Sequence, residues 1–187
     1  MSSLKEKTAK GLFWGGMNNM VQQIVGLAFG IVLGRLLSPY DYGMMAMISV
    51  FSLVATALQD SGFKVALTNQ EKPTDADYNS VFWFNIIMGL AMYAMLFAAA
   101  PLIAHYYNTP KVVPLCRLAF LSIVIASLGT AQSAWLFKNL RAKQQAKASM
   151  AAVLVSSCVG AGMAFAGMAY WSLATQGLVY VGLNTLL

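Results

Sequence analysis

The sequence predicts an all-α, polytopic membrane protein, built as one bundle of about six transmembrane helices. Two features of the sequence indicate this class. Of the 187 residues, 59% are hydrophobic and only 10% are charged, whereas a soluble domain carries about 25% charged residues. The apolar residues also occur in runs of about 20, the length that a helix needs to cross about 30 Å of hydrocarbon.

The order of the hydrophobic runs defines the elements, and we treat residues 1–187 as a single transmembrane bundle. The runs place the helices approximately at 12–37, 43–68, 81–104, 112–137, 148–169 and 172–187. The first run is too long for the apolar part of a signal peptide. The last run has 16 residues and no basic or aromatic anchor after it, so we expect a truncated sixth helix in a fragment of a longer protein.

Helix-capping chemistry separates several of these runs. Ser38-Pro39-Tyr40-Asp41 and Thr74-Asp75-Ala76-Asp77 each place a hydroxyl three residues before a carboxylate, which is typical of a helix N-terminus. Asn108-Thr109-Pro110 indicates a turn before the fourth run. The connection between the fifth and sixth runs is very short, so these two helices are expected to be antiparallel neighbours.

Lysine and arginine residues are distributed unevenly between the two ends of the predicted helices. With the N-terminus in the cytoplasm, the outer side holds only Arg35, Lys111 and Arg117. The cytoplasmic side then holds Lys5, Lys7, Lys10, Lys64, Lys72, Lys138, Arg141, Lys143 and Lys147. Because cytoplasmic loops are enriched in basic residues, we expect a cytoplasmic N-terminus. The basic residues form no stripe on a polar surface, so nucleic acid is not an expected partner.

Several amide side chains lie within the hydrophobic runs. The candidates among them are Asn18, Asn19, Gln22, Gln23, Asn85, Gln132 and Gln176. Amides in hydrocarbon are costly without hydrogen-bond partners, so they should face the bundle interior or water. We expect one pair in the first run to join helices and the other amides to line a hydrophilic substrate cavity. The alternative is that water near the cytoplasmic boundary already supplies their partners.

Three charged residues in the runs are candidates for a functional role. Arg35 and Arg117 either extend to the outer headgroups or offer a cation to an anionic substrate. Asp60 is a candidate for ion or proton coupling, because an ionisable group at membrane depth indicates function by default. Its alternative is a surface ion pair with Lys64, one turn later, which would contribute little to stability.

Glycine spacing in the first run indicates a surface for close helix packing. Gly26, Gly30 and Gly34 recur every four residues and share one helix face, where another backbone can approach closely. Plain helix packing is one interpretation, and a surface that slides during transport is the other. Gly160, Ala164 and Gly167 form a weaker version in the fifth run.

The sequence lacks the motifs of soluble-enzyme chemistry. His105 is the single histidine, and no P-loop, GxSxG, HExxH or dinucleotide-binding turn is present. Cys116 and Cys158 have no metal-ligand spacing. We therefore expect no enzyme activity, no cofactor and no metal.

Six segments, in order, resemble a known transporter family. The first is GRLLSPYDYG at 34–43, which is similar to the RLLSPEDYG signature of the polysaccharide flippase branch of the multidrug/oligosaccharidyl-lipid/polysaccharide (MOP) superfamily. That branch includes Wzx-type O-antigen and colanic-acid exporters. The others are DSGF (60–63), VFWFN (81–85), APLIA (100–104), YNTP (107–110) and YWSL (170–173).

The resemblance implies a fold and a function. Such proteins hold substrate between two six-helix bundles and move undecaprenyl-diphosphate-linked oligosaccharide across the bacterial inner membrane by alternating access, for lipopolysaccharide or exopolysaccharide biosynthesis. This chain would be the N-terminal bundle. Its partners would be the lipid-linked oligosaccharide, membrane lipids and a missing C-terminal bundle. Alternatives are a drug or metabolite antiporter of the same superfamily and a non-transporting, truncated membrane protein.

Overall fold

The computed structural model of the protein describes residues 2–59, 74–139 and 141–187. In these ranges the fold is all-α, which confirms the predicted class. The elements are α1 Ser2–Leu36, α2 Pro39–Gln59, α3 Asp75–Tyr106, α4 Val112–Lys138, α5 Ala142–Phe165 and α6 Ala169–Leu186.

The helices have the length and the surface of membrane-spanning segments. Among the described residues, five apolar stretches are long enough to cross a bilayer: Gly11–Leu36, Pro39–Gln59, Ala76–Tyr106, Val112–Leu136 and Lys143–Phe165. Leu27, Leu53 and Leu102 are each at least 67% exposed on the outside of these helices. Because an exposed apolar surface of this extent is unfavourable in water, the protein is a multi-pass membrane protein.

Two predicted helix starts are confirmed as reciprocal capping boxes. At α2, the Ser38 hydroxyl donates to Asp41 Oδ2 at 2.7 Å, and the Ser38 backbone N–H donates to the same oxygen at 2.9 Å. In return, the Asp41 N–H donates to Ser38 Oγ at 3.3 Å. Thr74 and Asp77 make the same arrangement at α3. Each box provides partners for backbone groups that the first helical turn leaves unpaired.

Several helix limits differ from those of the hydrophobic runs. The first and third helices begin earlier than 12 and 81, because helical hydrogen bonding and capping continue beyond the apolar segment. The fifth helix ends at Phe165 rather than 169, since Gly167 adopts a φ of +77° and turns the chain. The sixth begins at Ala169 rather than 172. The predicted stretch 60–68 lies outside the described residues.

The main core lies where α2, α3, α4 and α6 meet. Met44 and Ile48 of α2 contact a cluster centred on Leu115 and Phe120 of α4. The short connection makes α5 and α6 neighbours, as predicted. By contrast, α1 lies at the edge of the bundle and packs mainly against α5. Most of its surface therefore stays exposed.

Close helix packing occurs at glycines other than the regular row of α1. Gly26, Gly30 and Gly34 are exposed, and a Cβ atom at any of them would have no neighbour within 4 Å. The row is therefore not a packing surface among the described helices. At Gly160, in the weaker set, a Cβ would lie 2.9 Å from Gln176 Cβ. Gly160 thus permits the close approach of α5 and α6.

Candidate functional site

A groove runs along the junction of α2, α4 and α6, and we call it the polar groove. It contains two cavities, of about 240 Å³ and about 150 Å³, which follow one another along the same three helices. The larger cavity lies toward the C-terminal ends of α2, α4 and α6, and the smaller toward their N-terminal ends. The groove therefore extends through much of the length of the bundle.

The larger cavity is rich in hydrogen-bonding side chains, although it lies within apolar helices. Seven of its ten lining residues are polar, namely Thr56, Gln59, Thr130, Ser133, Tyr180, Asn184 and Thr185. Ser49, Ser52 and Ser122 continue this character into the smaller cavity. None of the described residues that line either cavity is charged. The groove is suited to a neutral ligand with many hydroxyl groups.

Local sequence explains the hydroxyl stripe on α2. Ser49, Ser52 and Thr56 follow a three- and four-residue spacing, which places them on one helix face. Their hydroxyls donate within the helix: Thr56 Oγ1 lies 2.8 Å from the Ser52 carbonyl oxygen, and Ser52 Oγ lies 3.3 Å from that of Ile48. A hydroxyl that has donated its proton retains acceptor lone pairs. The stripe therefore presents acceptors to the groove.

Contacts between helices position the wall of the groove on α6. The Ser149 hydroxyl of α5 donates to Asn184 Oδ1 at 2.8 Å, which leaves the amide N–H donors of Asn184 for other partners. Thr185 Oγ1 donates to the Ile125 carbonyl at 3.4 Å. A Cβ at Gly129 would lie 3.1 Å from Thr185 Oγ1, so this glycine allows α4 and α6 to approach closely.

The predicted candidates on α4 lie away from the polar groove. Arg117 is nine residues before Ala126, which lines the groove, so it projects from the opposite side, about 180° around the helix. Its guanidinium carbon lies 4.1 Å from the centroid of the Phe97 ring. Gln132 is exposed and lines a different groove, between α3 and α4. Neither residue lines the polar groove, and the choice between headgroup anchoring and substrate binding for Arg117 stays a prediction.

Two further predicted amides lie in helix contacts and line neither cavity of the polar groove. Asn85 is only 4% exposed, and its Nδ2 donates to the Val81 carbonyl of its own helix at 2.9 Å. Gln176 lies against Gly160. Asn85 thus bonds within its own helix, and Gln176 packs against the neighbouring helix.

The candidates on α1 also lie apart from the polar groove. Gln22 Nε2 donates to Asn18 Oδ1 at 3.2 Å on the half-buried side of the helix. Asn19 and Gln23 are exposed, as is Arg35 near the helix end. A substrate role for these five residues stays a prediction. The predicted coupling residue, Asp60, lies outside the described residues.

Sequence reasoning missed the residues that form the polar groove. It selected amides and charges, whereas the groove consists mainly of serine and threonine hydroxyls with Tyr180 and Asn184. The signal was present as helical spacing: Ser49, Ser52 and Thr56 on α2 match the spacing of Gly177, Tyr180 and Asn184 on α6. Such stripes in apolar helices indicate a polar face.

Comparison with known proteins identifies similar sequences. Residues 32–187 match the family model described as polysaccharide biosynthesis protein. The chain is 24% identical to the teichuronic acid biosynthesis protein TuaB of Bacillus subtilis, over 75% of this chain and 29% of that protein. It is 24% identical to the lipopolysaccharide biosynthesis protein WzxC of Escherichia coli, over 81% of this chain and 31% of that protein.

A third relative is named as a transport protein. The succinoglycan biosynthesis transport protein ExoT of Rhizobium meliloti is 26% identical, over 78% of this chain and 29% of that protein. The chain thus spans about 30% of the length of these relatives. No solved structure matches the chain significantly.

Proposed function

The chain belongs to the polysaccharide biosynthesis protein family, and we propose that it is part of a flippase for lipid-linked oligosaccharide. The substrate would be an undecaprenyl-diphosphate-linked repeat unit, carried across the bacterial inner membrane for the synthesis of a surface polysaccharide. Transport of this kind requires no covalent step by the protein. The described residues would supply part of the path that the sugars follow.

The polar groove is the observation that carries this proposal. Sugars have many hydroxyl groups, and each one that leaves water needs a hydrogen-bond partner. The groove offers hydroxyl acceptors on α2 and the amide of Asn184 on α6. Its length along three helices suits an extended oligosaccharide better than a compact drug molecule.

A second bundle would complete the path. The polar groove is open on one side, and lipid would be an unfavourable cover for its hydroxyls. We propose that a second six-helix bundle closes the groove and that the two bundles alternate between inward-open and outward-open states. The exposed row Gly26, Gly30 and Gly34, beside Asn19 and Gln23, would face water or that bundle rather than lipid.

Deleting the gene in its own host is expected to abolish most display of the surface polysaccharide. Lipid-linked oligosaccharide should then accumulate on the cytoplasmic leaflet, because its sugars cannot cross hydrocarbon unaided. The measurement is the amount of lipid-linked sugar protected from a glycosidase added to spheroplasts, with a plasmid-borne copy of the gene as the control. Unchanged polysaccharide with increased drug sensitivity would instead indicate an antiporter.

The orientation of the bundle is a separate proposal. With a cytoplasmic N-terminus, a reporter fused after Lys143 should be active on the cytoplasmic side, because nine of the twelve basic residues would then lie there. Paired fusions to alkaline phosphatase and green fluorescent protein measure this directly. A fusion after Lys111 is the control and should report the periplasm. A periplasmic signal after Lys143 would contradict the proposed topology.

A further inference from the structure

A second groove lies between α3 and α4 on the outside of the bundle, and we call it the α3/α4 groove. It has a volume of about 550 Å³, within the range of small-molecule sites. Its walls are formed by Tyr78, Asn79, Phe82, Ala131, Gln132, Trp135 and Leu136. These residues belong to the first turns of α3 and the last turns of α4, so the groove lies at the end of the bundle that carries the N-terminus of α3.

The α3/α4 groove opens onto the apolar surface of the bundle. Leu128 lies one turn from Gln132 along α4 and is 39% exposed, and Trp135 is 40% exposed. In a membrane, this surface meets lipid chains. The groove is therefore accessible to an acyl chain from the side, whereas the polar groove lies on another face of α4.

A cation lies beside one wall of the α3/α4 groove. The Arg141 backbone N–H donates to the Leu136 carbonyl at 3.0 Å, which holds Arg141 close to the end of α4. The guanidinium carbon then lies 4.8 Å from the centroid of the Trp135 ring, which forms one wall. Such stacking restrains an arginine while its N–H donors stay available. Arg141 Nη1 also donates to Gln144 Oε1 at 3.3 Å.

A second supported cation lies at the same end of the bundle. Lys143 Nζ lies 5.4 Å from the centroid of the Trp14 ring on α1. Tryptophan rings prefer the boundary between hydrocarbon and headgroups. The two cation–tryptophan pairs therefore place this end, with the mouth of the α3/α4 groove, at headgroup level.

We propose that the α3/α4 groove binds one anionic phospholipid, with an acyl chain along the apolar walls and the phosphate paired with Arg141. Charge selects this occupant: the residues that line the groove are uncharged, and the guanidinium of Arg141 over the Trp135 ring suits an anionic headgroup at the membrane boundary. An arginine fork matches the phosphate oxygens in pairs. Tyr78, Asn79 and Gln132 supply polar groups near the glycerol region. The site is independent of the proposed transport function.

The test uses the full chain in detergent micelles supplemented with phosphatidylglycerol or phosphatidylcholine of identical acyl chains. Native mass spectrometry should detect one retained phosphatidylglycerol for each chain and much less phosphatidylcholine. Arg141→Gln is expected to weaken phosphatidylglycerol retention about fivefold, because one basic residue near an anionic surface contributes about that factor. Gln132→Trp fills the groove without changing charge, and it should weaken retention as well.

Arg117→Gln is the matched control, because Arg117 is also an exposed arginine over an aromatic ring but is remote from the α3/α4 groove. It should retain phosphatidylglycerol like the unmodified protein. Equal losses for Arg117→Gln and Arg141→Gln would show general surface attraction and overturn the proposal. Equal retention of the two lipids, or full retention by Gln132→Trp, would overturn it too. Circular dichroism confirms that each variant is folded.

Discussion

Replacing Thr56 with tryptophan is expected to lower display of the surface polysaccharide roughly 5- to 150-fold without lowering the amount of protein in the membrane. Thr56 lines the larger cavity of the polar groove, which has a volume of about 240 Å³. An indole there would occupy the space proposed for the sugars. A sugar hydroxyl that loses its hydrogen-bond partner in the groove costs about 1–3 kcal/mol in binding free energy, which corresponds to the stated range in affinity. Immunoblots of membranes and staining of surface polysaccharide measure the two quantities.

Leu58→Trp is the control for Thr56→Trp. Leu58 is 55% exposed and lies on another face of α2, so an indole at that position would meet lipid rather than the groove. Polysaccharide display should stay at the level of the unmodified protein. If Thr56→Trp also leaves display unchanged, or if Leu58→Trp lowers it equally, the polar groove is not the path of the sugars.

Replacing Asn184 with leucine is expected to reduce both stability and polysaccharide display. The Ser149 hydroxyl is buried and donates to Asn184 Oδ1 at 2.8 Å. Leucine would leave that hydroxyl without its acceptor, at a cost of about 1–3 kcal/mol in the free energy of unfolding. The same change removes an amide that we assign to sugar binding. Unfolding in mixed micelles and polysaccharide staining report the two effects separately.

The double variant Ser149→Ala/Asn184→Leu separates the structural role of Asn184 from its proposed role in transport. Removing both partners of a buried hydrogen bond is nearly neutral for stability, so the double variant should regain most of the lost unfolding free energy. Polysaccharide display should stay low, because the amide is still absent. If polysaccharide display recovered together with stability, Asn184 would have only a structural role and no role in sugar binding.

The helix starts illustrate what local sequence predicts well. A serine or threonine three residues before an aspartate produced the reciprocal capping boxes at Ser38 and Thr74. These hydrogen bonds connect residues within one turn, so they depend little on the rest of the fold. The end of α5 was predicted less well, because the decisive feature was the φ of +77° at Gly167, and the apolar run continues through it.

Glycine and arginine residues illustrate the opposite case. Spacing marked Gly26, Gly30 and Gly34 as a packing face, but no described helix contacts it, and Gly160 takes that role against Gln176. Spacing alone shows which residues share one face of a helix, but it does not show which other helix packs against that face. In the same way, the position of Arg117 within an apolar run suggested that it could lie in the cavity. In the structure, its guanidinium lies over the Phe97 ring instead of in the polar groove.

The sequence by itself determined that the protein is a multi-pass helical bundle, because hydrocarbon requires long apolar helices whose backbone groups bond internally. The sequence also contains the motifs that resemble the polysaccharide flippases, and the match of residues 32–187 to the family model confirmed that resemblance. Only the tertiary structure decided which faces of α2, α4 and α6 meet, and so which hydroxyls line the polar groove. The physical reason is that helix periodicity defines faces within one segment, whereas a groove forms from contacts between residues as far apart as Thr56 and Asn184.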